Sequence, residues 1–246
     1  MSTLLKPGIM SPMLFPFLKP DKRKTLILGI CFLSFLSRPA WSEDCSGPTQ
    51  VKKTTAHYKV DLLFPTLPDL DLNCEVRRDL ETDLDEFEKL PNPPTGTHAR
   101  LREYVGRYQL FQSALGTGSV LISLNKSTGE SHPMQYTRTY SYDTTTGKKL
   151  FFLDLFKPQS DWHKALWPFV KKTVWPLNRD KKWIAQGTGP DPQNYSRFTL
   201  DSLTLILYFE PYAVAPYKAG TIRVKVPLDK IKRVLATSFA QKLKAF

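Results

Sequence analysis

Hydrophobic and polar positions alternate from His57 to Leu62 (His-Tyr-Lys-Val-Asp-Leu), the period of a half-buried strand, and Phe64-Pro65 stops the run. The period then lengthens. Val76, Leu80, Leu84, Phe87 and Leu90 recur every three or four residues, which predicts an amphipathic helix with Asn73 as N-cap and Pro91 as stop. Its polar side, from Glu81 to Glu88, is acidic and reads as a solvated helix face. After the proline-rich Pro91-Asn92-Pro93-Pro94 the alternation returns, giving candidate strands at Arg102–Ser113, Ser119–Leu124, Gln135–Tyr142 and Leu150–Leu153. The intervening turns carry Gly116-Thr117-Gly118, Thr128-Gly129 and Thr146-Gly147, glycine where a tight hairpin needs it, so an antiparallel meander is expected. Within the third strand Tyr136, Tyr140 and Tyr142 share one parity and should line one face, as core packing or as a ligand platform. From Asp161 to Val174 the pattern is helical, capped by Ser160 and interrupted by Pro168. Strands at Leu203–Phe209 and Thr221–Val226 come next. Leu228, Ile231, Leu235, Phe239 and Leu243 then outline a closing helix.

The first 42 residues have a different character. Lys19 to Lys24 form a charged region, Thr25–Leu36 an apolar run, and Ala40-Trp41-Ser42 places small residues where a signal peptidase reads them, so residues 1–42 are expected to be a signal peptide cleaved before Glu43. The run falls short of the ~20 apolar residues that span a bilayer, so no stable membrane span is expected once it is removed. The whole chain carries a formal charge of +12. Without the leader 29 basic residues face 22 acidic ones, about +7, an excess that favours anionic surfaces such as phosphate-bearing wall polymers but is also ordinary for a soluble basic domain. Once Cys31 departs with the leader, Cys45 and Cys74 remain, and a lone pair in an oxidising compartment is most simply a disulfide. The expected location is therefore outside the cytoplasm, periplasmic or secreted.

Catalytic signatures are sparse. The four histidines, His57, His98, His132 and His163, offer no pair at helical zinc spacing, and neither cysteine has a partner at ligand spacing. There is no Gly-x-Ser-x-Gly elbow and no phosphate-cradling glycine loop before a helix. The reading is a non-catalytic protein with no cofactor, no metal and no nucleic-acid partner. Two places invite a ligand. One is the turn Gly129-Glu130-Ser131-His132-Pro133, where His132 is either a contact or a histidine held by its own backbone. The other is a basic and aromatic stretch that includes Trp175, Lys181, Lys182 and Trp183, where ring faces suit sugars and cations suit phosphate or carboxylate, unless it is simply a solvated loop with anchoring tryptophans.

The segment Leu207-Tyr-Phe-Glu-Pro-Tyr-Ala-Val-Ala-Pro-Tyr-Lys-Ala-Gly220, continuing through Val224-Lys-Val-Pro-Leu228, resembles the C-terminal signature of the RsiV-like family. That family comprises the ectodomain of a lysozyme-sensing anti-sigma factor and the non-catalytic domain of PdaC-type peptidoglycan deacetylases. Tyr142 to Leu150 with Leu153-Asp-Leu-Phe156 is similar to the family's hairpin and its exit, and Gly129 to Pro133 to its Gly-Ala-His-Pro turn, with Ser131 in place of alanine. The likeness runs from about residue 52 to 244. It implies an α+β class with largely antiparallel sheets and flanking helices, two packed sub-lobes in one module, divided as 43–97 and 98–246. Neither a sigma-binding segment nor a deacetylase domain is expected in this chain. The expected function is that of an exported binding module of the cell envelope, for peptidoglycan or another wall glycan, or for a wall-active protein such as lysozyme. A structural or oligomerising envelope protein and an enzyme with a non-obvious site are the alternatives. The expected ligand surface lies near His132, Tyr212 and Tyr217, with Trp175, Lys181, Lys182 and Trp183 as the second choice.

Overall fold

The computed structural model describes Cys45 and residues 47–92, 101–128 and 132–245. The expected leader and positions 129–131 of the His132 turn lie outside the described residues. Among the described residues two sheets and four α-helices make an α+β fold. Strands β1 (Gln50–Thr54), β2 (Tyr58–Leu63), β3 (Arg102–Ser113), β4 (Thr117–Ser127), β5 (Met134–Asp143) and β6 (Lys149–Leu150) lie side by side in chain order, antiparallel except for the parallel β2–β3 pair. That pair joins strands from either side of residue 97. Between β2 and β3 the chain crosses over through helix α1 (Leu70–Glu88), as a parallel connection requires. The second sheet is an antiparallel meander of β7 (Phe198–Asp201), β8 (Thr204–Phe209) and β9 (Ile222–Pro227).

The period of two dictates the layers. On β4, Val120, Ile122 and Leu124 pack with Val76, Leu80, Leu84 and Phe87 of α1, while Leu121 points the other way to meet Ile206 and Tyr208 of β8. On β5, Tyr140 and Tyr142 join the α1 side, with Tyr136 packed at its edge. The opposite parity, Thr137, Thr139 and Ser141, faces the second sheet, where Thr139 Oγ1 accepts from Phe198 N at 3.0 Å and Ser119 Oγ from Leu200 N at 3.0 Å. Beyond that sheet, Leu205, Leu207 and Phe209 face a larger core built with α2 (Trp162–Val174), α3 (Lys181–Thr188) and the C-terminal segment. The order is therefore α1, six-stranded sheet, three-stranded sheet, helices.

Several local expectations change. Asp69 rather than Asn73 caps α1, accepting from Leu72 N at 2.8 Å, and Asn73 instead accepts from Leu67 N. The strand expected at Leu150–Leu153 ends at Leu150, because Phe152–Leu155 turns into a 3-10 helix that buries Phe152 and Leu155. Helix α2 passes through Pro168 unbroken. The closing helix is divided into Leu228–Ile231, α4 (Thr237–Lys242) and Leu243–Ala245, with Leu235 between the first two held by a bridge to Phe156. Cys45 and Cys74 form a disulfide that ties the entrance of the chain to α1, with Cα atoms 5.2 Å apart.

Candidate functional site

The chain leaves β8 at Phe209 and immediately meets Pro211, which has no N–H to extend the ladder. The strand therefore gives way to a loop, and this loop is fastened from several sides. Glu210 reaches back to β5, where its carboxylate accepts from Thr137 N at 2.9 Å and pairs with Arg197 at 3.0 Å. Tyr212 N donates to Ala215 O and Ala213 N to Glu210 O, closing the turn on itself. Three residues of the helical layer then meet the turn's outer carbonyls. Trp183 Nε1 donates to Tyr212 O at 2.9 Å, Asn178 Nδ2 donates to Val214 O at 2.9 Å, and Gly187 lies so close that a Cβ there would stand 2.0 Å from Ala213 O. The result is an uncommon conformation: Tyr212 has φ of +69°, in the left-handed region that disfavours a bulky side chain. The residue is nevertheless 62% exposed. Strain of this kind persists only where surroundings over-determine it, and it clusters at sites of function.

The Tyr212 ring heads a row of three. Its centroid lies 5.8 Å from that of Tyr217, which lies 5.4 Å from that of His132. Tyr217 is fixed by its hydroxyl, which donates to Pro133 O, so the loop after β8 and the entrance to β5 are tied together at the row. These rings and Pro211 form one wall of an open groove of about 630 Å³. The rest of the lining comes from the α1 and β5 layer: Asp83 and Glu86 of α1, Lys126 at the end of β4, Pro133, and Met134, Gln135 and Tyr136 of β5. A groove of this size, largely apolar with a few polar groups at its edge, has the general make-up of a small-molecule or oligomer site.

Charges in the groove are held in place. Asp83 takes a fork from Arg138, 3.0 Å from Nε and 2.7 Å from Nη2, and Lys126 stands 5.8 Å from the Tyr104 ring centroid and 5.9 Å from that of Phe87. Tyr136 donates to the buried Tyr104 hydroxyl at 3.1 Å. Burial raises the phenols of both above the ordinary tyrosine value, so at neutral pH the pair is uncharged. Among the described residues no group of three or more His, Cys, Asp or Glu side chains is placed to hold a metal ion. The groove offers ring faces, amide and carboxylate acceptors and one ammonium, a set suited to recognising a hydroxylated, partly apolar ligand.

His132, Tyr212 and Tyr217 thus meet in one site. Trp183 joins them from behind through its indole N–H, so one member of the basic and aromatic stretch belongs to the same construction. Its other members stand apart: Trp175 packs against the helical core with Lys171 above its ring, and Lys181 and Lys182 are exposed in the first turn of α3. A second, smaller concavity of about 310 Å³ lies on the α3 side, lined by Trp183, Gln186, Gln193, Asn194, Arg197 and Tyr208 among others, with Tyr212 as the residue it shares with the first. Sequence reasoning missed Asp83, Glu86 and Lys126, whereas Tyr136 belongs to the tyrosine stripe read as core or ligand platform. Periodicity assigns Asp83 and Glu86 to a solvated helix face, and only the crossover of α1 over the sheet brings them to the loop after β8.

A family model described as a protein of unknown function (DUF3298) matches residues 153–229, which carry Tyr212, Tyr217 and Trp183 but not His132 or α1. The chain is 24% identical over 195 residues to the peptidoglycan-N-acetylmuramic acid deacetylase PdaC of Bacillus subtilis, covering 77% of this chain and 41% of that protein. It is 27% identical over 129 residues to the immunogenic protein MPT64 of Mycobacterium tuberculosis, covering 51% of this chain and 57% of that one. The chain therefore spans roughly half the length of these relatives. Crystal structures of DUF3298 family proteins share the fold: one from Pseudomonas aeruginosa with a TM-score of 0.51 at 18% identity, covering 79% of this chain and 98% of that one, and one from Bacteroides fragilis with 0.51 at 17%, covering 80% and 96%.

Proposed function

We propose that this protein is an exported binding module of the cell envelope whose groove at Tyr212, Tyr217 and His132 takes a wall glycan, without catalysing a reaction. The observation that carries the reading is the exposed Tyr212 ring, held in a strained backbone at the mouth of an aromatic-walled groove. Rings in such a row present flat apolar faces to the apolar faces of sugar rings, while Asp83, Glu86, Gln135 and Lys126 sit where hydroxyl and acetamido groups would need partners. Similarity to a protein named as a peptidoglycan deacetylase supports the same substrate class. Export is supported by the Cys45–Cys74 bridge, a bond that persists in oxidising compartments, and no helix of the described residues is long and apolar enough to cross a membrane. The mass of the exported protein should correspond to a chain beginning at Glu43.

Co-sedimentation with purified sacculi tests the ligand, run beside retention on immobilised lysozyme. The protein should pellet with sacculi, and a Tyr212→Gly variant should stay in the supernatant. Retention on lysozyme with no affinity for sacculi would instead make the groove a protein-recognition site.

A further inference from the structure

Tyr212 lines two concavities, and the second lies on the α3 side of its loop. Apart from Tyr212 the two linings have no residue in common: one is built by α1, β4, β5 and the Pro211–Tyr217 loop, the other by α3, the Pro192–Tyr195 turn, Arg197, the outer end of β8 and Ala213 of the same loop. Their chemistry also differs. The larger groove is walled by Pro133, Met134, Pro211 and the three rings, whereas the smaller carries the amides of Gln186, Gln193 and Asn194 beside the Arg197–Glu210 pair. Each volume reaches the range in which pockets hold ligands. A hydrogen bond mechanically links them, since Trp183, which lines the smaller one, donates to the backbone carbonyl of Tyr212.

We infer that the two concavities are consecutive subsites for one linear, hydroxylated polymer that passes over the Tyr212 ring, so that the protein selects extended glycan strands over mono- or disaccharides. The inference rests on the glycan reading given above. One flexible single-site contact would not need a bulky residue held at positive φ on the ridge between two hollows. A strand crossing that ridge stacks on Tyr212 at its middle, places one disaccharide repeat against the apolar wall and offers the hydroxyls of the next repeat to the amides. Occupying both hollows with one molecule makes the second contact intramolecular, so affinity must rise with strand length.

Wall glycan fragments of graded length, prepared by partial muramidase digestion of sacculi and freed of the enzyme, distinguish the possibilities when titrated into isotopically labelled protein. Affinity should increase at least tenfold from disaccharide to longer fragments, and the Trp183 indole N–H resonance should shift only with the longer ones. A Gln186→Ala, Gln193→Ala variant, altering two exposed side chains, should lose that gain while keeping its disaccharide affinity and melting temperature. Equal affinity for short and long fragments, with Tyr212→Gly weakening both, overturns the two-subsite arrangement and leaves the glycan site standing. Binding of no fragment of any length overturns both.

Discussion

At Tyr212 the interests of stability and recognition diverge, which makes the residue its own control. Left-handed backbone costs a non-glycine residue about 1–2 kcal/mol, and glycine recovers that while losing roughly 0.5–1 kcal/mol to its greater freedom in the unfolded chain. Tyr212→Gly should therefore keep its melting temperature within about 4 °C of the parent, as about 1 kcal/mol allows in a chain of this size, while losing binding. A purely architectural Tyr212 would behave in the opposite way, with a clear fall in melting temperature and binding reduced only in proportion to unfolding. Gly187 supplies the complementary case. Alanine is the better helix former by about 1 kcal/mol, yet its Cβ would stand 2.0 Å from the Ala213 carbonyl, so the loop must move. Gly187→Ala should destabilise by about 1–3 kcal/mol, the range of overpacking, and weaken sacculus binding although neither Gly187 nor Ala213 lines the larger groove. Thermal melts and pelleting assays on the two variants separate the ring that contacts ligand from the backbone that positions it.

Among the elements, the first three strands are joined by a charge that reports on pH. Asp61 on β2 accepts from Gln50 Nε2 of β1 at 2.8 Å and pairs with Arg107 of β3, and these partners, the Gln50 hydrogen bond foremost, hold its carboxyl below the ordinary aspartate value. A depressed folded value gives stability that is complete above about pH 4, where the unfolded carboxyl is ionised, and that vanishes as pH falls through the lowered folded value. Asp61→Asn should therefore reduce the melting temperature slightly at neutral pH, the size expected of an exposed pair, with the difference shrinking below about pH 4. Melts of parent and variant across that range check the sign. The strands themselves were legible wherever alternation was long: β3 matches its expected span Arg102–Ser113, and β5 extends its by one residue at each end. Short β7 was hidden because its alternation, Phe198-Thr-Leu-Asp201, lasts only four residues, the shortest run from which periodicity can argue a strand. The closing helix failed for another reason. Leu228, Ile231, Leu235, Phe239 and Leu243 do face one core, but helical spacing records the direction of burial and not whether the backbone between the contacts stays helical. His132, Tyr212 and Tyr217 were visible as loop residues flanked by proline. The opposite wall of the groove was not, because nothing in a solvated acidic helix announces which loop it will cross above.

For the whole molecule, the layering also sorts charge. Helix α1, the outer layer on one side, carries eight acidic residues against two basic ones, whereas residues 151–246, which build the helical layer and the second sheet, carry 16 basic against 7 acidic. The modest net charge without the leader thus conceals a molecule with an acidic side and a basic side, and the groove opens where the two meet, between Asp83 and Glu86 of α1 and the Tyr212 loop. An anionic envelope polymer would attract the basic side at long range, and the ring row would then recognise sugar at contact, so the two steps should respond differently to salt. The field of exposed lysines is screened over about 10 Å at 0.1 M ionic strength, while ring stacking is not. Lys181 and Lys182 make the sharper test. They are exposed in the first turn of α3, where acidic residues suit the helix N-terminus, so Lys181→Glu, Lys182→Glu should fold as well as the parent or better. That variant should bind intact sacculi bearing anionic polymer several-fold more weakly at low salt, converge with the parent at high salt, and bind uncharged glycan fragments with unchanged affinity. Equal binding of parent and variant to intact sacculi at low salt would reduce these two lysines to a solvated face.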